Sequence, residues 1–238
     1  MGHTYVFYHI FCKKSTENIV RDQITKIIFS GLYDVVNNIF CFLTGEEDEI
    51  RKIETILKDS GEKFNITAIG INDKSFERFT LHKIRNYITG DDKFLYIHSK
   101  GVTYNSSNVG GTRDWSCVRD WRTYMEYFTI AKHTTCISLL DSHQTVGVNY
   151  YDTPWKHFSG NFWWCRGDYF LTLPKSEDLD IKEDDIFSFT ENYVGMNDPT
   201  VFCFHKTGAP HYTVAYPYKH YVGGTNGSPL TPSLIPRT

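Results

Sequence analysis

The chain has 238 residues, enough for one sizeable core, and its 25 Lys and Arg against 28 Asp and Glu leave a formal charge of -3. With a sequence pI near 6.4, this balance argues against a protein wrapped by nucleic acid, which usually shows a basic surplus. A mean hydropathy of -0.39 and 22% charged residues fit a soluble globular chain, and no apolar run reaches the length of a membrane span.

Tyr5 to Ile10 reads as a first strand, and Ser15 or Thr16 can cap a helix whose face carries Val20, Ile24, Ile27 and Ile28. Asn38 to Leu43 gives a second strand, closed by Thr44-Gly45. A helix with Ile50, Ile53 and Leu57 stops at Gly61, and Phe64 to Ile69 forms a third strand. A helix is expected from Phe76 to Ile88, before a fourth strand from Lys93 to Ile97. Four strands separated by three helices with short connections predict an α/β fold with a mostly parallel central sheet flanked by helices. A polar loop from Gly101 to Gly111, a candidate lid, then leads into a long helix over Asp114 to Ala131 with Val118, Trp121, Met125 and Phe128 as its buried stripe. The second half is mixed. Helix continues over Thr135 to Leu140, strands are expected at Thr145 to Tyr150 and Gly160 to Trp164, and a short helix from Arg166 ends at Pro174. The acidic stretch Glu177 to Asp185 reads as a solvated turn, and the last dozen residues as loose or draped over the body.

The six cysteines (Cys12, Cys41, Cys117, Cys136, Cys165 and Cys203) are scattered and never form CxxC, which predicts buried free thiols in a reducing compartment. The N-terminus lacks the basic start and apolar core of a signal peptide, so a cytoplasmic location is expected.

Ligands of an open parallel sheet bind beyond the carboxyl ends of its strands. That rule nominates His9 to Lys13 (with Ile10 and Phe11 among them), Thr44 to Glu47, Gly70 to Asp73, and the turn His98, Ser99, Lys100 and Gly101. Lys100 can neutralise a phosphate oxygen, and Gly101 permits close backbone approach. Neither GxGxxG after the first strand nor GxxxxGK[ST] is present, which disfavours common dinucleotide and P-loop sites. On the long helix Arg122 and Glu126 can pair across one turn, while Arg119 or Arg122 could equally face a diphosphate. His157, Ser159, Gly160 and Asn161 offer polar groups suited to sugar hydroxyls, at the mouth of an apolar strand. Alternation puts Trp163 and Trp164 on opposite faces, so at most one can stack on a sugar ring. Glycosyl transfer needs a neutralised leaving diphosphate and, for inversion, a base for the acceptor hydroxyl. Glu191 is the first choice for that base, with Asp198 close behind it and Asp73 and Asp152 in reserve.

Together YIHSKG (residues 96–101), DWRTYMEYF (120–128), HFSGNFWWCRGDYFLTLP (157–174) and TENYVG (190–195) resemble a glycosyltransferase family of GT-A type with bacterial, algal and large-DNA-virus (chlorovirus-like) members. The HFSGNFWW segment is its specific part. The resemblance implies a UDP- or GDP-linked sugar donor, a glycan or glycoprotein acceptor, and host cytoplasm if the chain is viral. It also implies a GT-A-like domain over 1–208, with a nucleotide-binding half (1–101) and a sugar and acceptor half (112–208), followed by a partly flexible extension over 209–238. On this reading His9, Ile10 and Phe11 surround the base, His98 to Lys100 lie near the diphosphate, and His157 to Asn161 lie near the sugar. Glu191 matches the family carboxylate, with Tyr193 in place of the usual tryptophan. Such enzymes usually hold Mn²⁺ or Mg²⁺ on a D-x-D after the fourth strand, where this chain reads His98-Ser99-Lys100. The literal Asp178-Leu-Asp180 lies in the acidic turn, so the ligands, which could include His157 and Asp73, stay open, as does neutralisation by lysine and arginine alone. The competing reading is a catalytically inactive sugar- or nucleotide-binding scaffold on the same fold.

Overall fold

The computed structural model describes residues 2–104, 114–175, 179 and 186–222. Most of the expected lid, the acidic stretch with Asp178 and Asp180, and the last dozen residues lie outside these. Among the described residues nine strands form a seven-stranded sheet and a two-stranded hairpin. The strands are β1 (Thr4–Cys12), β2 (Asn38–Gly45), β3 (Phe64–Ile71), β4 (Lys93–His98), β5 (Thr145–Gly147), β6 (Tyr150–Tyr151), β7 (His157–Phe158), β8 (Trp163–Arg166) and β9 (Val201–Cys203). The helices are α1 (Thr16–Phe29), α2 (Leu32–Val35), α3 (Glu47–Ser60), α4 (Arg78–Leu81), α5 (Trp115–Glu126), α6 (His133–Leu139), α7 (Gly167–Thr172) and α8 (Ile186–Asn192). A π-helical stretch (Tyr127–Ala131) extends α5, so the long helix is present.

The sheet order is β3-β2-β1-β4-β8-β5-β9, and the first four of these strands run parallel. β8 is antiparallel to both β4 and β5, whereas β9 is parallel to β5. β1 and β4 are central strands covered on both faces, which is why they read as nearly unbroken apolar runs rather than alternating ones. Alternate residues of each strand feed two cores. Val6, Tyr8, Ile10, Leu95 and Trp164 join the layer under α1, α3 and α5, and Phe7, Phe94, Tyr96 and Trp163 join the layer under α4 and α7. Burying each tryptophan stabilises the fold by about 4–6 kcal/mol as an upper bound.

Local chemistry sets the helix ends. Asp114 Oδ1 accepts from Ser116 N at 2.7 Å and caps α5, and the first turn of α3 carries Glu47, Asp48 and Glu49 with Lys58 in its last. Ser15 occupies the N-cap position of α1, but its hydroxyl donates to the Val102 carbonyl instead, and Ile28 turns outward from the predicted stripe.

Three expectations are corrected. The helix predicted over 76–88 is only α4 and a 3₁₀ turn (Ile84–Asn86), because Phe76 takes a left-handed backbone (φ 50°) and Lys83 N–H bonds three residues back to Thr80. The strand predicted over 145–150 breaks at Asn149, also left-handed (φ 53°). The strand predicted from Gly160 starts at Trp163, since Gly160 (φ 91°) and Asn161 (φ 61°) form a tight turn. All six cysteines are free thiols, with Cys203 half-buried and the rest buried. No helix among the described residues is long and apolar enough to cross a membrane.

Candidate active site

The parallel strands end on one rim, where β4 passes into the turn His98-Ser99-Lys100-Gly101. This turn is pinned to the end of β1. Ser99 N–H donates to the His9 carbonyl at 3.0 Å, and Ser99 Oγ accepts from Phe11 N–H at 2.9 Å. Gly101 is left-handed (φ 94°), and Arg122 Nη1 donates to the Lys100 carbonyl at 3.0 Å. The Lys100 ammonium rests 3.9 Å from the centre of the Trp121 ring and 5.9 Å from that of Tyr212.

A cavity of about 150 Å³ opens here, lined by His9, Phe11, His98, Ser99, Lys100, Gly101 and Glu191 among the residues the sequence nominates. Its wall also includes Phe76, Glu77 and Tyr212. The rings of Phe11 and Phe76 lie 6.1 Å apart and form its apolar side.

Glu77 is the residue that sequence reasoning missed. Its Oε2 accepts from Tyr96 OH at 2.9 Å and from Asn161 Nδ2 at 2.6 Å, while Oε1 lies 3.7 Å from His98 Nδ1. Burial raises its carboxyl above the ordinary value despite these donors and the nearby Lys100. The two histidines are neutral bases. Burial lowers His98 to about 3, helped by the Lys100 charge, and its Nε2 donates to the Gly160 carbonyl at 3.0 Å. Burial lowers His9 to about 4, with Nδ1 held 2.8 Å from Thr80 Oγ1. The place after β4 that lacks a carboxylate in sequence thus receives one from the segment before α4. No spacing pattern marks it, since only the packing of residues 76–77 against β4 delivers it.

Other nominated residues sit elsewhere. Trp163 and Trp164 are both 0% exposed, with indole N–H groups donating to Asn161 Oδ1 and the Thr129 carbonyl, so neither can be a stacking platform. Asn161 spends its amide on Glu77, the Thr190 carbonyl and Trp163, which makes it the girder beneath the pocket rather than a sugar contact. Gly160 belongs to the same turn, where an added Cβ would lie 2.4 Å from Met125 Sδ. Ile10 faces the core. Arg122 is buried, 3.3 Å from Glu126 and 3.5 Å from Asp22, so its guanidinium steadies the Lys100 turn rather than facing this cavity. Arg119 and Arg122 line a neighbouring cleft of about 600 Å³ with Trp115, Asp22 and Lys26. His157 stacks on Tyr151 in the β6–β7 hairpin and bonds the Trp155 carbonyl, while Ser159 N–H bonds Asn149. Asp198 is exposed and paired with Lys156 at 2.6 Å, Asp152 is exposed, and Asp73 accepts from Ser75 in a local turn.

Among the described residues the donor set does not fit a divalent metal. Among the described residues no group of three or more His, Cys, Asp or Glu could hold one, and His157 and Asp73 do not form such a group. Glu77 already satisfies one oxygen twice, and a lysine stands in the same cavity.

No curated protein matches the chain. One solved structure, 4-diphosphocytidyl-2C-methyl-D-erythritolsynthase from Anaerococcus prevotii DSM 20548, aligns with 90% of this chain and 90% of its own. Its identity is 10% and its TM-score 0.42, a likeness too loose to support a functional inference. Residues 7–213 match the family described as Domain of unknown function (DUF8361), and the chain belongs to that family.

Proposed function

We propose that the chain is a glycosyltransferase that moves a sugar from a UDP- or GDP-linked donor to a hydroxyl of a glycan acceptor, at the pocket between β1, β4 and α8. One observation carries the reading. Residues nominated from three separate segments, His9 and Phe11, His98 to Gly101, and Glu191, line one cavity on the rim where a parallel sheet binds ligands. A mostly parallel sheet with one antiparallel strand beside β4 also suits the GT-A-like architecture expected from the motifs.

The groups divide the work. Phe11 and Phe76 offer faces for a nucleobase, and Lys100 offers positive charge for the leaving diphosphate. Glu191 is the base for the acceptor hydroxyl. Glu77, fixed by Tyr96 and Asn161, places negative charge beside the centre where positive charge develops in the transition state. The tight seat of Glu77 costs it nothing in reorganisation when the reaction occurs.

The test is release of nucleoside diphosphate from a panel of UDP- and GDP-sugars with glycan acceptors. Glu191→Gln is expected to lower turnover by about a hundredfold or more while nucleotide affinity changes little. Nucleotide binding with no turnover by the unaltered chain would favour the inactive scaffold instead.

A further inference from the structure

We propose that the cleft between α1 and α5 binds the sugar rings of the acceptor, beside the pocket assigned to the donor. This rests on the transferase reading above and concerns where its second substrate lies.

The cleft has a volume of about 600 Å³, enough to take a small organic ligand and roomier than the pocket of about 150 Å³ beside it. Its walls are of two kinds. Tyr104 and Trp115 supply half-buried aromatic rings, and the Arg119 guanidinium lies 5.0 Å from the centre of the Trp115 ring. Asn18 and Asp22 on α1, with Arg119 and Thr123 on α5, supply side-chain donors and acceptors. A sugar ring has a C–H face that packs on an aromatic ring and an edge of hydroxyls that both donate and accept. It therefore matches both kinds of wall at once. The charges point the same way. Lys26 Nζ lies 2.7 Å from Asp22 and 2.5 Å from Glu126, and Arg122 lies 3.3 Å from Glu126 and 3.5 Å from Asp22. An anion entering here would meet cations already balanced by carboxylates, so a neutral, hydroxyl-rich ligand is favoured over a phosphate. Position completes the case. Tyr104 lines both the cleft and the donor pocket. Ser15 Oγ donates to the Val102 carbonyl and Arg122 Nη1 to the Lys100 carbonyl, which fastens the turn after β4 to both helices of the cleft. An acceptor in the cleft thus meets the donor across Tyr104. Residues 105–113, between Tyr104 and Asp114, lie outside the described residues, and no part of the site is drawn from them.

The experiment is capture of the full chain on an array of oligosaccharides, followed by calorimetric titration with the captured glycan and, separately, with UDP and GDP in EDTA and in Mn²⁺. Capture is expected. Trp115→Ala should weaken the captured glycan by roughly ten- to a hundredfold and Asn18→Ala by about fivefold, with nucleotide affinity held. Asn18 is exposed on α1, so its variant decides the matter if Trp115→Ala does not fold. Undiminished glycan binding in a folded Trp115→Ala chain would overturn the inference. An equal loss of nucleotide binding would overturn it as well, by making the cleft part of the donor site. An array without capture, for a chain that binds UDP or GDP, would overturn it and leave the transferase reading intact. Capture that these variants abolish, in a chain that binds neither nucleotide, would keep the cleft as a sugar site and remove the transferase reading.

Discussion

Two buried polar networks among the described residues, each built around an asparagine, differ in what they line, and the first opens on a cavity. The first joins Glu77, Tyr96, Asn161 and His98 beneath the pocket. The second joins Tyr124, Asn149, His205 and His211 between α5 and the segment after β9. There Tyr124 OH lies 2.9 Å from His205 Nδ1, and Asn149 bonds both His211 and Thr207. Both contain neutral histidines, and both use an asparagine with left-handed backbone as the hub, Asn161 (φ 61°) and Asn149 (φ 53°). The difference is charge and access. The first contains a carboxylate beside Lys100 and lines a cavity, whereas the second is uncharged and fastens residues 204–221 against α5, burying His211 and Tyr221. Burial of polar groups alone therefore does not mark a site, because a closed network serves to satisfy backbone and side chain in a segment with little regular structure.

That contrast can be broken by exchanging one group in each network. Glu77→Gln keeps the shape but removes the charge, and turnover should fall by about a hundredfold or more with the fold intact. Unaltered turnover in a folded Glu77→Gln chain would demote the first network to a structural one. Asn149→Ala should do the opposite. It deletes bonds to Tyr124, His211 and Thr207 at a left-handed position, and should cost about 2–4 kcal/mol in urea unfolding while nucleotide binding stays unchanged. A fall in binding larger than the fall in stability would show that the second network also shapes the pocket.

Acidification sharpens the comparison further. His9 and His211 are lowered to about 4 and His98 to about 3, chiefly by burial, from an ordinary 6.5. Below pH 6.5 the unfolded chain therefore binds protons that the folded chain refuses. The stability these histidines confer is whole above 6.5 and is lost as pH falls toward their folded values. Glu77 acts in the opposite sense: its raised carboxyl favours the fold below its ordinary 4.5, and that contribution fades as pH rises through the raised value. His211→Gln removes one of the refused protons, so its unfolding free energy in urea should depend less steeply on pH between 6 and 5, by up to about 1.4 kcal/mol per pH unit. An unchanged slope would show that His211 is not held neutral.

The regular half of the fold was legible because its signals are local. Parallel strands buried on both faces write themselves as apolar runs, and α1, α3 and α5 carry the helical stripe that packs on them. The rim residues His9, Phe11, His98, Lys100 and Gly101 followed from strand order, and Glu191 from the motif. The second half was less legible because its turns hang on left-handed residues such as Asn149 and Asn161, whose conformation is fixed by partners distant in sequence. Reading Trp163 and Trp164 as a ring platform failed for the same reason. Their alternation across the sheet was correct, but the elements covering both faces leave neither exposed.

By itself the sequence determined an α/β chain with a mostly parallel sheet, a polar turn after β4 and free, largely buried cysteines, since composition and periodicity encode what each residue must hide from water. Only the tertiary structure decided which polar groups share a cavity. Glu77 reaches His98 from 21 positions earlier in the chain, and Asn161 reaches Glu77 from 84 positions later. Such meetings depend on how helices and turns stack over a common strand end, and no local pattern records that geometry.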